Sequence, residues 1–133
     1  MRRPNCHCWP ERLPLDGDAS IPARKPEAAL AAIVTVLQGV CPDLKEDHLR
    51  ASRAGALTAD WLRQCTMYLL VGRLGHTLAV CSKLLNRDRA SVRHGVYRVT
   101  ERVENSVLTA QFLDFVEAQL AIELRRVLYE GGF

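Results

Sequence analysis

The segment Asn86-Arg87-Asp88-Arg89-Ala90-Ser91-Val92-Arg93-His94-Gly95 holds the side chains whose types and spacing could do chemistry. Short and forked polar groups are concentrated at the start of a helical pattern, and such groups read a duplex major groove. Arginine bonds bidentately to guanine, aspartate accepts from cytosine N4, and alanine touches the thymine methyl. Arg87, Asp88, Arg89 and Ala90 are therefore the candidate base readers. Lys83, Arg93 and Arg98 are candidate phosphate contacts, each of which would steepen the salt dependence of binding. His94 reads as a further contact to the DNA backbone rather than as a catalytic base.

These residues need a helix-turn-helix to position them. Thr77 suits an N-cap for a short helix over 77–85, with Leu78, Cys81, Leu84 and Leu85 facing inward. Asn86-Arg87 makes the turn. The next helix, over 88–105, carries Val92, Val96, Val99 and Val103 at helical spacing as its buried seam. Ala90, Arg93, His94, Tyr97 and Glu101 then point away from the core, with Arg89 and Arg102 on the flanks. In such a motif the second helix presents its N-terminal residues to base edges while the first crosses the backbone.

The rest of the chain reads as helical support. Pro26 opens a helix with the stripe Leu30, Ile33, Val34, Leu37 and Val40, and Cys41-Pro42 ends it. A short polar helix follows over 43–50, then a basic loop over 51–55. A stronger helix spans 58–72 with Leu62, Cys65 and Leu69 inward and Trp61, Met67 and Leu70 on its flanks. The last helix, over 107–129, is expected to bury Leu108, Phe112, Phe115, Leu120, Leu124 and Val127. No strand pattern occurs, so the expected fold is an all-α multi-helix bundle with a domain over 26–130. Residues 1–25, with Pro4, Pro10, Pro14 and Pro22 and no sustained periodicity, read as a flexible arm.

Charge supports a polyanionic partner. Between Arg50 and Arg102 lie ten Lys/Arg against Asp60, Asp88 and Glu101, while the remainder holds eight bases and twelve acids. The excess sits on the helix-turn-helix candidate itself. No apolar run approaches the roughly 20 residues that span a bilayer, and no signal-peptide core follows Arg2-Arg3. Five cysteines, three of them in apolar helical contexts, suit a reducing cytoplasm. Cys6-His7-Cys8 carries zinc-type ligands, but C-x-C without a second pair is not zinc spacing, and no metal or other cofactor is expected. His7, His48, His76 and His94 have no Ser or Cys partner at a signature spacing, so catalysis is not expected. Cys65 and Cys81 read as core thiols.

The segments Arg63-Gln64-Cys65-Thr66-Met67-Tyr68-Leu69 and Arg87 to Gly95 together resemble the C-terminal DNA-binding domain of the bacterial replication initiator DnaA. That family carries R-Q-x-A-M-Y-L on a long helix, then G-R-D-H-[ST]-T-V-x-H-A at its recognition helix. The resemblance covers about residues 26–104 and implies the Trp-repressor/DnaA type of helix-turn-helix, in a nucleoid-associated protein. It places Asp88, Arg89 and Ala90 at the base-reading positions, Ser91 at a phosphate-contacting one and His94 on the late His. Arg53 is similar in place to the loop residue that enters the minor groove. Arg89 and Ala90 depart from the family's His and hydroxyl residue, so a different DNA box is expected. Asn86 stands where Gly-Gly is common, leaving the turn one residue shorter, and Arg93 replaces an apolar residue. No G-x-x-x-x-G-K-[ST] occurs, so no nucleotide is expected as a ligand.

The expected function is sequence-specific double-stranded DNA binding, by a transcriptional regulator or an accessory replication factor. The alternative is a helical protein–protein interaction module whose DNA-binding surface has degenerated. Leu113, Val116 and Leu128 read as surplus apolar residues of the last helix, leaving room for a homodimer through it.

Overall fold

A computed structural model describes residues 11–15, 17–50 and 57–131. Within them the chain is all-α. The helices are α1 (Gly17–Ala23), α2 (Pro26–Gln38), α3 (Glu46–Arg50), α4 (Leu57–Met67), α5 (Leu78–Leu85), α6 (Arg89–Asn105) and α7 (Val107–Gly131), and a π-helical segment (Tyr68–Arg73) continues α4.

Leu30, Ile33, Val34 and Leu37 of α2 are buried as their spacing predicts. Val40 is exposed, because α2 ends at Gln38 and the chain has turned before it reaches that residue. The π-helical segment is the larger departure from sequence periodicity. Tyr68, Leu69, Leu70, Val71 and Gly72 are consecutive and all buried, which no single face of a 3.6-residue helix allows. The segment is enclosed instead, touching α2, α4, α5 and α6. Leu74 N–H bonds Leu69 C=O at 2.8 Å and His76 N–H bonds Leu70 C=O at 2.9 Å, closing the wider turns. Gly75, at φ 84°, then reverses the chain, and the Arg12 side chain lies where a Cβ would stand.

The described part of the N-terminal segment, residues 11–15 and 17–25, packs on the helices. Among the described part, Leu13 N–H bonds Arg73 C=O at 2.8 Å, and Leu13 and Leu15 pack half-buried on the core. The helix α1 lies on α7 and α2, with Ala19 and Ala23 buried one turn apart. His76 Nε2 lies 2.8 Å from Ala23 C=O and pins the end of α1. The seam is made of methyl groups, which carry little hydrophobic signal in the sequence. Cys6-His7-Cys8 lies outside the described residues.

The inward face of α7 also differs from expectation. Leu113, Val116, Leu120 and Leu124 are fully buried, so Leu113 and Val116 are core rather than surplus. Leu108 and Phe115, read as core from the sequence, are exposed. Both sets lie at helical spacing, and the packing of α7 on α1, α2 and α6 decides between them.

Candidate nucleic-acid interface

Local chemistry sets the joint between α5 and α6. Thr77 caps α5 by accepting from Val80 N–H at 3.1 Å. Cys81 and Leu85 anchor the helix inward. Asn86 ends it in the left-handed conformation, φ 54° and ψ 50°, where asparagine is tolerated better than most residues with a Cβ. Arg87 N–H returns to Ser82 C=O at 3.0 Å, and the Ser82 hydroxyl donates to Arg87 C=O. Asp88 then caps α6, its Oδ1 accepting Ser91 N–H at 2.7 Å. That backbone bond, reinforced by the Ser91 hydroxyl, holds the carboxyl below the usual aspartate range.

The helix α6 buries Val92, Gly95, Val96 and Val99, while Val103 is half-buried. Arg89, Ala90, Ser91, Arg93, His94, Tyr97 and Arg98 are all exposed, as the valine seam requires. Lys83 is exposed on α5. Lys83, Arg89, Arg93 and Arg98 make no hydrogen bond or ion pair among the described residues. Arg102 is different, since its guanidinium sits 5.0 Å from the centre of the Trp61 ring and ties α6 to α4.

Arg87 does not face outward with the other candidate readers. Its guanidinium is half-buried and reaches Asn86 C=O at 3.0 Å, with Leu85 and Arg50 C=O each at 3.4 Å. The carbonyls at the ends of α3 and α5 lack intrahelical partners and attract the cation. Arg50 completes the joint by donating Nε–H to Leu84 C=O at 2.8 Å. Arg87 is thus turned toward the carbonyls of the turn, unlike the exposed candidates beside it. Asp88 is partly diverted too, with one carboxylate oxygen engaged by the cap. Arg53 lies outside the described residues.

A groove of about 390 Å³ opens between α4 and the start of α6. It is lined by Asp60, Arg63, Gln64 and Met67 on one side and by Arg87, Asp88, Ala90, Ser91 and His94 on the other. Arg63 was legible as a motif residue but not as an anchor. It is only 4% exposed and donates to Leu49 C=O, His48 C=O and Asp60 Oδ1, at 3.1, 3.1 and 2.9 Å. Burial, and then the nearby Arg87 cation, weaken its hold on a proton. Two guanidiniums thus approach the floor of the groove, with Asp60 offsetting part of their charge. Gln64, like Arg63, was legible as a motif residue but not as a wall of this groove, since a glutamine on a helix flank carries no signal of its own.

Burial pushes the Cys81 thiol up to about 12 and raises Cys65 further, so neither supplies a thiolate at neutral pH. Among the described residues no cluster of His, Cys, Asp or Glu could hold a metal ion, and no helix is long and apolar enough to cross a membrane. Comparison with known proteins found no matching family, curated relative or solved structure.

Proposed function

We propose that this chain binds double-stranded DNA sequence-specifically, with α5, the turn and α6 acting as a helix-turn-helix. The exposure of Lys83, Arg89, Arg93 and Arg98, without partners among the described residues, carries the reading. Unpaired guanidiniums beside a capped helix start suit phosphate and guanine, both of which take forked donors. Arg89 and Ala90, with the outer oxygen of Asp88, form the base-reading set. Lys83, Arg93, Arg98, Ser91 and His94 flank it as backbone contacts. The groove between α4 and α6, with hydroxyl, imidazole and amide on its walls and cations below, suits a sugar–phosphate strand. The resemblance of residues 63–69 and 87–95 to the initiator's DNA-binding domain supports the same reading. The biological role is that of a transcriptional regulator or accessory replication factor on the cytoplasmic nucleoid.

The rival reading, an interaction module with a degenerate DNA surface, draws on the apolar outer face of α7. It leaves the exposed Lys83, Arg89, Arg93 and Arg98 of α5 and α6 without a purpose.

Selection from a randomised duplex pool at two salt concentrations tests the proposal. Enrichment of one motif, lost in an Arg89→Ala variant, is the expected result. Salt-sensitive binding with no enriched motif would replace specific reading by a non-specific role. Absence of binding at low salt would remove the DNA reading altogether.

A further inference from the structure

Three cations from outside the basic middle of the chain gather at the entry to α5. Arg12, Arg24 and Lys25 are three of the eight bases that lie outside residues 50–102. All three are exposed, and none makes a hydrogen bond or ion pair through its side chain among the described residues. Tertiary contacts bring them together. The Arg12 guanidinium lies against Gly75, in the space that a Cβ there would take. Leu13 N–H bonds Arg73 C=O at 2.8 Å and fixes the stretch that carries Arg12. One residue on, His76 Nε2 meets Ala23 C=O at 2.8 Å, immediately before Arg24 and Lys25. That dipeptide is held between α1 and α2: Lys25 N–H bonds Pro22 C=O at 3.1 Å, and Lys25 C=O accepts Ala29 N–H at 2.8 Å. The three side chains therefore border Gly75-His76, and Thr77, which caps α5, follows directly. Glu11 and Glu27 stand beside them in sequence, but neither pairs with them among the described residues. Ala23 and His76 are 53 residues apart, so no local pattern reveals the cluster.

Resting on the DNA-binding reading above, we propose that Arg12, Arg24 and Lys25 form a second phosphate-binding site beside the start of α5. In a helix-turn-helix the first helix crosses the sugar–phosphate backbone. Cations grouped at its start then meet phosphates that flank the bases read by α6. Lys83 stands six residues along α5 from Thr77, about 9 Å along the axis. Phosphates of one strand rise by about 3.4 Å, so that span covers more than one of them. Phosphate contacts position a protein on the duplex and carry no sequence information. The site therefore adds affinity on every duplex long enough to reach it, and it steepens the salt dependence.

Fluorescence titration of the full chain over a range of salt concentrations tests the site. Arg24→Gln with Lys25→Gln should weaken binding several-fold, on the selected motif and on scrambled duplex alike. The log–log salt slope should fall by roughly two, about 0.9 for each lost phosphate contact. Adding Arg12→Gln should take about one more from it. The enriched motif and the thermal midpoint should stay as in the wild type, since these exposed side chains hold no other element. Trimming the duplex to the bases that α6 reads should weaken the wild type more than the double variant. An unchanged slope in the variants, with the motif still lost in Arg89→Ala, would overturn this site and leave the α6 reading standing. Absence of wild-type binding at low salt would remove both. Capture of anionic phospholipid vesicles, lost in the double variant while its DNA affinity is unchanged, would overturn the site by assigning it to a membrane surface.

Discussion

Gly95 of α6 lies so close to Met67 of α4 that a Cβ on the glycine would overlap the methionine sulfur. This pair sets the approach of the two helices that form the groove. Gly95→Ala gains up to about 1 kcal/mol of helix propensity but must push Met67 into the groove it already lines. Gly95→Val adds more volume and loses that propensity gain, so it should cost about 1–3 kcal/mol in urea unfolding. In a Met67→Ala background most of that cost should disappear. Additive effects of the two substitutions would mean that the helices do not meet at this point.

Arg63 joins α3 to α4 through three hydrogen bonds made by one buried guanidinium. Arg63→Ala leaves the carbonyls of His48 and Leu49 without that donor and should cost about 3 kcal/mol. Arg63→Lys should recover only part of this, since an ammonium cannot reproduce the planar fork. Equal stability of the Lys variant and the wild type, measured by denaturant midpoints, would show that charge rather than geometry matters here.

The α5–α6 region was the most legible part of the chain, because each helix has one apolar face and a capping residue at its start. Thr77 and Asp88 mark those starts, and the valine spacing marks the face turned inward. On α7 the sequence offers two apolar stripes on opposite sides of one helix. Local spacing cannot choose between Phe115 and Val116, and only the neighbouring helices do. The π-helical segment was hidden for a related reason, since burial on every side erases periodicity. The inward turn of Arg87 was not legible, because its partner carbonyl on Arg50 is 37 residues away in sequence. Charge placed it in the right region, and tertiary contact turned it inward.

Two carboxyls should give opposite responses to acid. Hydrogen bonding holds Asp88 below its ordinary value, so the cap is strongest above the aspartate range and weakens as pH falls through the folded value. Burial holds Glu117 above its ordinary value, although Arg73 Nη2 bonds it at 2.7 Å and opposes the shift. The folded state therefore binds the Glu117 proton more tightly, and the penalty of its buried charge lifts as pH falls through its raised value. Relative to Asp88→Asn, which keeps a cap, the wild type should lose stability on acidification. Relative to Glu117→Gln it should gain. Urea unfolding across the carboxylate range checks both signs, and parallel curves for wild type and variant would remove the corresponding assignment.

Arg87 and Arg89 are two residues apart and should fail differently. Arg89 is exposed and has no partner among the described residues, so Arg89→Ala should leave the fold intact and cost about 1–3 kcal/mol at the preferred DNA site. Lys83→Ala should weaken binding to all sequences alike and flatten the salt slope by roughly one. Arg87→Ala removes donors from the turn, so it should lower the unfolding midpoint while the enriched motif stays the same. Fluorescence titration on specific and scrambled duplexes, paired with thermal melts, separates the three. A change of preferred sequence in Arg87→Ala, with unchanged stability, would return that side chain to the base-reading set. The inward geometry would then be a resting arrangement that DNA displaces, and the carbonyls of Arg50 and Leu85 would have to find other donors in the complex.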